Sequence, residues 1–429
     1  MNWFGILGAG MPAANDAPAI DAGSTAWMLV SCALVLLMVP GLAMFYGGLV
    51  RRKNVLSTMM HSFLAMAVLG VQWIVIGYAL CFGTDYAGII GFDWDKFCLN
   101  GIAYNAVYAD KHIPELVFVM FQGKFAIITP ALISGAVAER MKLSSYLIFI
   151  ILWSTLVYCP LAHWVWGDGG WLLQYGVLDF AGGTVVHVSS GIAALVMALM
   201  IGRRLSVPNE SLEPGNLILT LTGAGFLWFG WFGFNAGSAI GSEVPAAGPV
   251  AGLAFTTTQT AAAAGALAWI FVEFMRKGRC TSLGLVSGIL AGLVAITPGA
   301  GYIEPRWALM IGLVAGATCY LAVHFKERAH VYDDALDAFG VHGVGGAWGG
   351  VATGIFCFTP AAGLIDGDTT QVVKQIVGLA AAAAFAAAGT YLIARFLKAT
   401  IGLRVSEEQE RAGLDQSIHG ERSYRLMEA

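Results

Sequence analysis

The chain has 429 residues, of which 58% are hydrophobic and only 12% charged, and its mean hydropathy is +0.72. A soluble domain carries about 25% charged residues, so a water-soluble fold of this length could not coat its surface; a bilayer, which asks for no polar coat, is the solvent implied. The net charge of −4 leaves no basic footprint for nucleic acid.

In chain order, the run Trp3-Phe-Gly-Ile-Leu-Gly-Ala-Gly10 lacks a basic region and is short for a signal sequence, so it reads as an extracytoplasmic lead-in. Eleven segments then follow that are apolar enough to cross a hydrocarbon core about 30 Å thick. They lie near 25–50, 55–82, 114–138, 146–166, 182–201, 216–238, 248–274, 281–298, 306–325, 338–358 and 373–395. The 55 glycines, costly in a soluble helix, suit a membrane bundle in which small residues let backbones approach. The seven cysteines form no C-x-x-C pair and read as small hydrophobes rather than metal ligands or a disulfide framework.

Lysine and arginine set the orientation. The loops after spans 1, 3, 5, 7 and 9 carry Arg51, Arg52, Lys53, Arg140, Lys142, Arg203, Arg204, Arg276, Lys277, Arg279, Lys326 and Arg328. The opposite loops hold only Lys96, Lys111, Arg306 and Lys374. The reading is therefore an all-α polytopic membrane protein with eleven transmembrane helices, its N-terminus outside and its C-terminus inside. Spans 1–5 and 6–10 then run in opposite senses. This is an inverted 5+5 repeat (about 25–201 and 216–358) plus one extra helix at about 373–395, a plan that places the substrate site near the midplane. A transmembrane domain would cover 1–396 and a cytoplasmic tail 397–429.

Ionisable side chains inside spans mark function by default. Span 5 reads Asp179-Phe-Ala-Gly-Gly-Thr-Val-Val-His187 and span 10 reads Asp337-Ala-Phe-Gly-Val-His342. Each is a D-x-x-G segment leading to a histidine, in matching spans of the two halves. Two neutral imidazoles, each with one donor and one acceptor nitrogen, could line a narrow pore and exchange hydrogen bonds with a small polar solute; each could instead bond a neighbouring helix. No third ligand sits at metal spacing. Asp179 suits a helix N-cap and also a cation-attracting field, two compatible roles. Phe121 and Phe125 share a face of span 3, as do Phe234 and Ser238 on span 6, and Trp166 ends span 4 at the same outer level. They read either as an interfacial aromatic belt or as a cation–π cup.

These residues resemble the Amt/Mep/Rh ammonium transporter family, and its bacterial Amt branch in particular. The matching runs are Gly47-Gly-Leu-Val-Arg-Arg-Lys-Asn-Val-Leu-Ser57, Phe121-Gln-Gly-Lys-Phe-Ala126 and Gly135-Ala-Val-Ala-Glu-Arg140. Further on come Asp179–His187, Trp231-Phe-Gly-Phe-Asn-Ala-Gly-Ser238, Asp333–Gly343 and the tail Leu403–Asp415. The resemblance implies a homotrimer in a cell (inner) membrane, with one pore per subunit and no cofactor. It implies an external ammonium site of Trp166, Phe121 and Ser238, supported by Asp179, and a gate of Phe125 and Phe234. It makes His187 and His342 the twin pore histidines, sets Asp334 and Asp337 at the cytoplasmic vestibule, and offers the tail to neighbouring subunits and a PII-type regulator. The implied activity is recruitment of ammonium, its deprotonation, and conduction of ammonia through an apolar bore. Lys124, directly before Phe125, stands where the family pattern has a small neutral residue. An ammonium sensor with little transport, or a channel for another small neutral solute, stays open beside this reading. An enzyme is the class least favoured, since no nucleophile–base pairing, phosphate loop or metal constellation is visible.

Overall fold

In a computed structural model of the chain, residues 20–108, 111–207, 213–241 and 246–424 are described. The lead-in Trp3–Gly10 and the last residues, 425–429, lie outside the described residues. Eleven long helical rods form the body: α1 (Ala22–Leu49), α2 (Arg52–Phe82), α3 (Glu115–Val137), α4 (143–166), α5 (Gly183–Ile201) and α6 (Leu217–Ile240), followed by α7 (Pro249–Lys277), α8 (Ser282–Gly299), α9 (Pro305–Ala329), α10 (339–356) and α11 (Thr370–Thr400). Nine of these regions are long and apolar enough to cross a membrane. The other two are α7, diluted by Thr256, Thr257, Thr258, Gln259 and Thr260, and α10, diluted by its glycines and His342.

Small residues decide how the rods pack. A Cβ on Gly223 of α6 would lie 2.4 Å from Phe45 N and 2.5 Å from Gly41 O, so α1 and α6, the matching first helices of the two halves, touch backbone to backbone. The halves meet again where α5 crosses α10: a Cβ on Gly191 would lie 2.2 Å from Gly343 N. This second crossing brings His187 and His342 together.

On the outer side, a two-stranded antiparallel hairpin, β1 (Asp85–Tyr86) and β2 (Ile90–Gly91), follows α2. On the side that the lysine and arginine distribution makes the inner one, the connections are tied by buried charge. Glu139 accepts bonds from Arg51 Nε (2.9 Å), Asn54 Nδ2 (2.7 Å) and Arg204 Nη1 (2.9 Å). Arg204 also grips Asp333 through Nη2 at 2.7 Å and Nε at 2.9 Å. Burial pushes the Asp333 carboxyl up, but Arg204 and Arg140 outweigh it and hold it far below the usual carboxylate range. The tail adds two short helices, α12 (Glu407–Ala412) and α13 (Leu414–His419). Asp415 accepts from Leu56 N (3.1 Å) and Ser57 N (2.8 Å) at the start of α2, and Glu410 accepts from Leu205 N (2.7 Å). All seven cysteines are free thiols, five of them buried.

Candidate functional site

From the outer side inward, aromatic rings close a column between the two halves. Phe121 and Phe125, one turn apart on α3, have ring centroids 5.0 Å apart. The Trp166 ring meets Phe125 edge-on at 6.0 Å and 84°. Phe234 of α6 lies against Phe125 at 4.3 Å. Ser238, half-buried, gives its hydroxyl proton to Phe234 O at 2.8 Å, and its neighbour Gly237 abuts the Phe121 ring. Phe121, Phe125 and Phe234 are each at most 1% exposed, so the column is shut at this level.

Below the rings lies a cavity of about 20 Å³, lined by Met38, Leu42, Ile128, Leu132, Leu227 and Leu290 together with both histidines. That is room for about one water-sized molecule. His187 and His342 meet Nδ1 to Nδ1 at 3.2 Å with ring planes 21° apart. One of these nitrogens must carry the proton and the other the lone pair. The two outward Nε2 atoms are then complementary, one a bare acceptor and one an N–H. A pair so arranged presents both hydrogen-bond senses to a solute that, like ammonia, both donates and accepts. His187 Nε2 is buried with no hydrogen-bond partner among the described residues.

Both histidines sit in wide i→i+5 turns, Gly183–Val188 on α5 and Phe339–Gly343 on α10. Such turns recur at functional sites, and nothing in residue periodicity announced them. Asp179 fixes the first. Its Oδ1 accepts from Gly182 N (3.0 Å) and Gly183 N (2.6 Å), its Oδ2 from Thr184 N (2.9 Å) and Val185 N (3.0 Å). Gly182 makes the approach possible by adopting φ +106°, a conformation that side-chain-bearing residues avoid. The carboxylate is thereby a fixed charge at the head of α5 with its oxygens already engaged. The Asp179 carbonyl accepts from Trp166 Nε1 at 2.9 Å, joining the ring column to the cap.

The match drawn from D-x-x-G between Asp179 and Asp337 needs correcting. Asp334 is the counterpart, because it lies eight residues before His342 as Asp179 lies eight before His187, and its Oδ2 accepts from Phe339 N at 2.7 Å. Asp337 has φ +61° and turns its carboxylate to Lys326 Nζ. Burial pushes the Asp334 carboxyl up to about 6. Beyond His342 opens a vestibule of about 550 Å³ toward the inner side, lined by Phe45, Tyr46, Arg204, Lys326, Asp333 and Asp337 among others.

Lys124 does not line the cavity at the histidines. It is buried, 8% exposed, and within electrostatic range of Cys32 on α1. The Cys32 thiol contacts Val117 O, two turns toward the outer end of α3. Lys124 thus lies next to Phe125 in the chain with its charge within electrostatic range of an α1 side chain rather than in the histidine cavity. Sequence reasoning overlooked Trp231, whose indole stacks on His187 at 5.3 Å while Nε1 donates to Thr297 Oγ1 at 2.9 Å. Its i, i+3 spacing to Phe234 was the available signal.

A sequence model of the Ammonium Transporter Family matches residues 26–424. An ammonium transporter of Bacillus subtilis is 48% identical over 94% of this chain and 98% of its own length. One of Aquifex aeolicus is 49% identical over 95% of this chain and 94% of its own. The crystal structure of Saccharomyces cerevisiae Mep2 superposes with TM-score 0.82 at 37% identity, covering 91% of this chain and 88% of that one. A structure described as a sensor Amt protein superposes with TM-score 0.84 at 30% identity, covering 92% and 98%. The chain belongs to the ammonium transporter family.

Proposed function

We propose that the protein recruits ammonium at Trp166, Phe121 and Ser238, that ammonium releases one proton near Asp179 before passing the Phe125–Phe234 pair, and that ammonia passes along His187 and His342 and takes up a proton again on the inner side. The observation that carries this reading is the 3.2 Å imidazole contact inside an otherwise apolar bore. Potassium and ammonium share charge and similar size, so a ring of carbonyls separates them poorly. Carrying an intact ion into low dielectric costs at least several kcal/mol. Removing a proton from an amine whose pKa lies about two units above neutrality costs only about 3 kcal/mol. Deprotonation is the easier route, and potassium has no such route. The Asp179 charge favours the cation above the rings, and Asp337 on the vestibule wall favours it again on the inner side; Asp334, expected at the vestibule, is instead fully buried behind that wall, capping Phe339 N.

The working form is a homotrimer in the cell inner membrane, with a PII-type regulator acting on the tail. The decisive test is electrical recording on purified protein in liposomes. Replacing both His187 and His342 with alanine lowers the sustained ammonium current about tenfold or more, since the desolvated solute loses its polar stations. A variant that conducts and selects as wild type does ends the pore assignment. The buried Lys124 cation beside the column favours a second reading, a receptor that binds ammonium and transports little. A brief binding transient in place of a sustained current distinguishes it.

A further inference from the structure

A polar cluster outside the pore lies one turn before Trp166. His163 on α4 is fully buried. Its Nδ1 is 2.8 Å from Cys81 O and its Nε2 is 2.8 Å from Asp85 Oδ1. Both partners are acceptors: a carbonyl oxygen has no proton to give, and an ionised carboxylate has none either. A neutral imidazole carries a single N–H, so it can satisfy one contact and must set a lone pair against the other. Both contacts form only when the pair holds one further proton. The proton can rest on the ring, as imidazolium facing carboxylate, or on Asp85, as a carboxylic acid donating to Nε2.

We propose that His163 and Asp85 form a proton-loaded clamp that positions Trp166 in the recruitment cup; the inference rests on the reading of Trp166 as part of that cup. The clamp joins three pieces: the last turn of α2 through Cys81, the β1–β2 hairpin through Asp85, and the outer end of α4. The hairpin is pinned further by Gly88 N to Asp85 Oδ1 (2.8 Å), Trp164 Nε1 to Ile89 O (2.8 Å) and Trp171 N to Gly88 O (3.1 Å). Glycines wall the ring in, since a Cβ on Gly167 would lie 2.3 Å from Nδ1 and one on Gly91 3.1 Å from it. The imidazole therefore has no room to turn toward another partner. The titratable groups about it are Cys81 and Lys96 from the α2 side, Asp85 on the hairpin, and Tyr158, Cys159 and Asp168 along its own stretch of chain. Of these, the Asp85 side chain is the one that bonds the ring, while Lys96 Nζ donates to the next carbonyl, Phe82 O, at 2.6 Å. His163 and Asp85 are positioning residues: they act on ammonium through Trp166.

The test uses full-length protein in liposomes and compares wild type with Asp85→Asn, His163→Gln and Trp166→Ala, recording half-saturating methylammonium and maximal current. An amide at position 85 brings no charge to hold the extra proton, so the clamp loses one contact or Gly88 N loses its acceptor. Asp85→Asn then raises half-saturation about tenfold, the size of one charge-assisted hydrogen bond, and keeps maximal current within about twofold. The clamp's role is overturned if Asp85→Asn and His163→Gln bind as wild type while Trp166→Ala weakens binding. If Trp166→Ala also leaves binding unchanged, the cup reading is the one that fails. Spectroscopy on wild type then judges the clamp alone, with no variant needing to fold. Infrared carboxyl bands and ring-nitrogen resonances showing ionised Asp85 beside a singly protonated His163 refute it.

Discussion

The tightest constraint at the residue scale is a shared proton. Because His187 and His342 touch through like nitrogens, neither tautomer can be chosen independently of the other, and the bore is left with one donor and one acceptor for its passenger. Under the proposed function Lys124 would work against the step before. A cation within about 10 Å of the recruited ion, at an effective dielectric of about 20, raises its energy by roughly 1–2 kcal/mol. Lys124→Thr therefore improves apparent ammonium affinity on the order of tenfold, read as a shift in half-saturating concentration. An unchanged concentration places the amine too far away to matter. Helical spacing made Phe121, Phe125 and Phe234 visible as faces of their helices. It gave no sign that Lys124 would reach toward Cys32, since a flexible stem can take its charge more than a turn away from its own Cα.

At the scale of the element, each half builds the same device: a carboxylate placed eight residues ahead of a histidine, holding a wide turn open. Asp179→Ala strips acceptors from four amides at once, each worth roughly 1 kcal/mol or more when left buried. The melting temperature of the purified protein should drop accordingly, and His187 should lose its register before any substrate is added. Asp334 gives a pH signature. Its carboxyl, pushed up to about 6 by burial, lies above the unfolded value of about 3.9. The folded chain therefore binds the proton more tightly than the unfolded one, and this contribution to stability is complete below about 4 and lost as pH rises through about 6. Asp334→Asn keeps an acceptor for Phe339 N but removes the titration, so thermal melts of wild type should decline between these pH values relative to the variant. Equal profiles would show that the group does not titrate there. The histidines and their matched helices were legible in the sequence because ionisable residues in apolar runs are rare. The true partner of Asp179 was not, because D-x-x-G scores residue identity, whereas a cap is defined by which amides a carboxylate can reach.

For the whole molecule, the basic residues that set orientation turn out to do structural duty as well. Arg140 and Arg204 are buried, and Arg204 bridges Glu139 and Asp333 across three connections. Removing one partner of such a network strands the others, at a cost of about 3–5 kcal/mol, so Arg204→Met should unfold well below wild type in a detergent melt. Acid should act similarly. Asp333 is held below its unfolded value, so its contribution is present above about pH 4 and fades as pH falls further, as protons compete with Arg204. Hydropathy alone makes nine of the eleven rods legible, with α7 and α10 diluted by polar residues and glycines, whereas it could not show this network, because its members lie on loops far apart in the chain.

The bond from Leu56 N to Asp415 joins residues 359 positions apart. During synthesis the second rod is threaded into the bilayer long before the carboxylate that finishes its first turn exists. Two amides must wait, solvated by water or headgroups, until residue 415 has been made. Completion of an early helix is thus deferred until some 359 further residues have been added, and a nascent chain cut short before residue 415 reaches the membrane with that end still undressed.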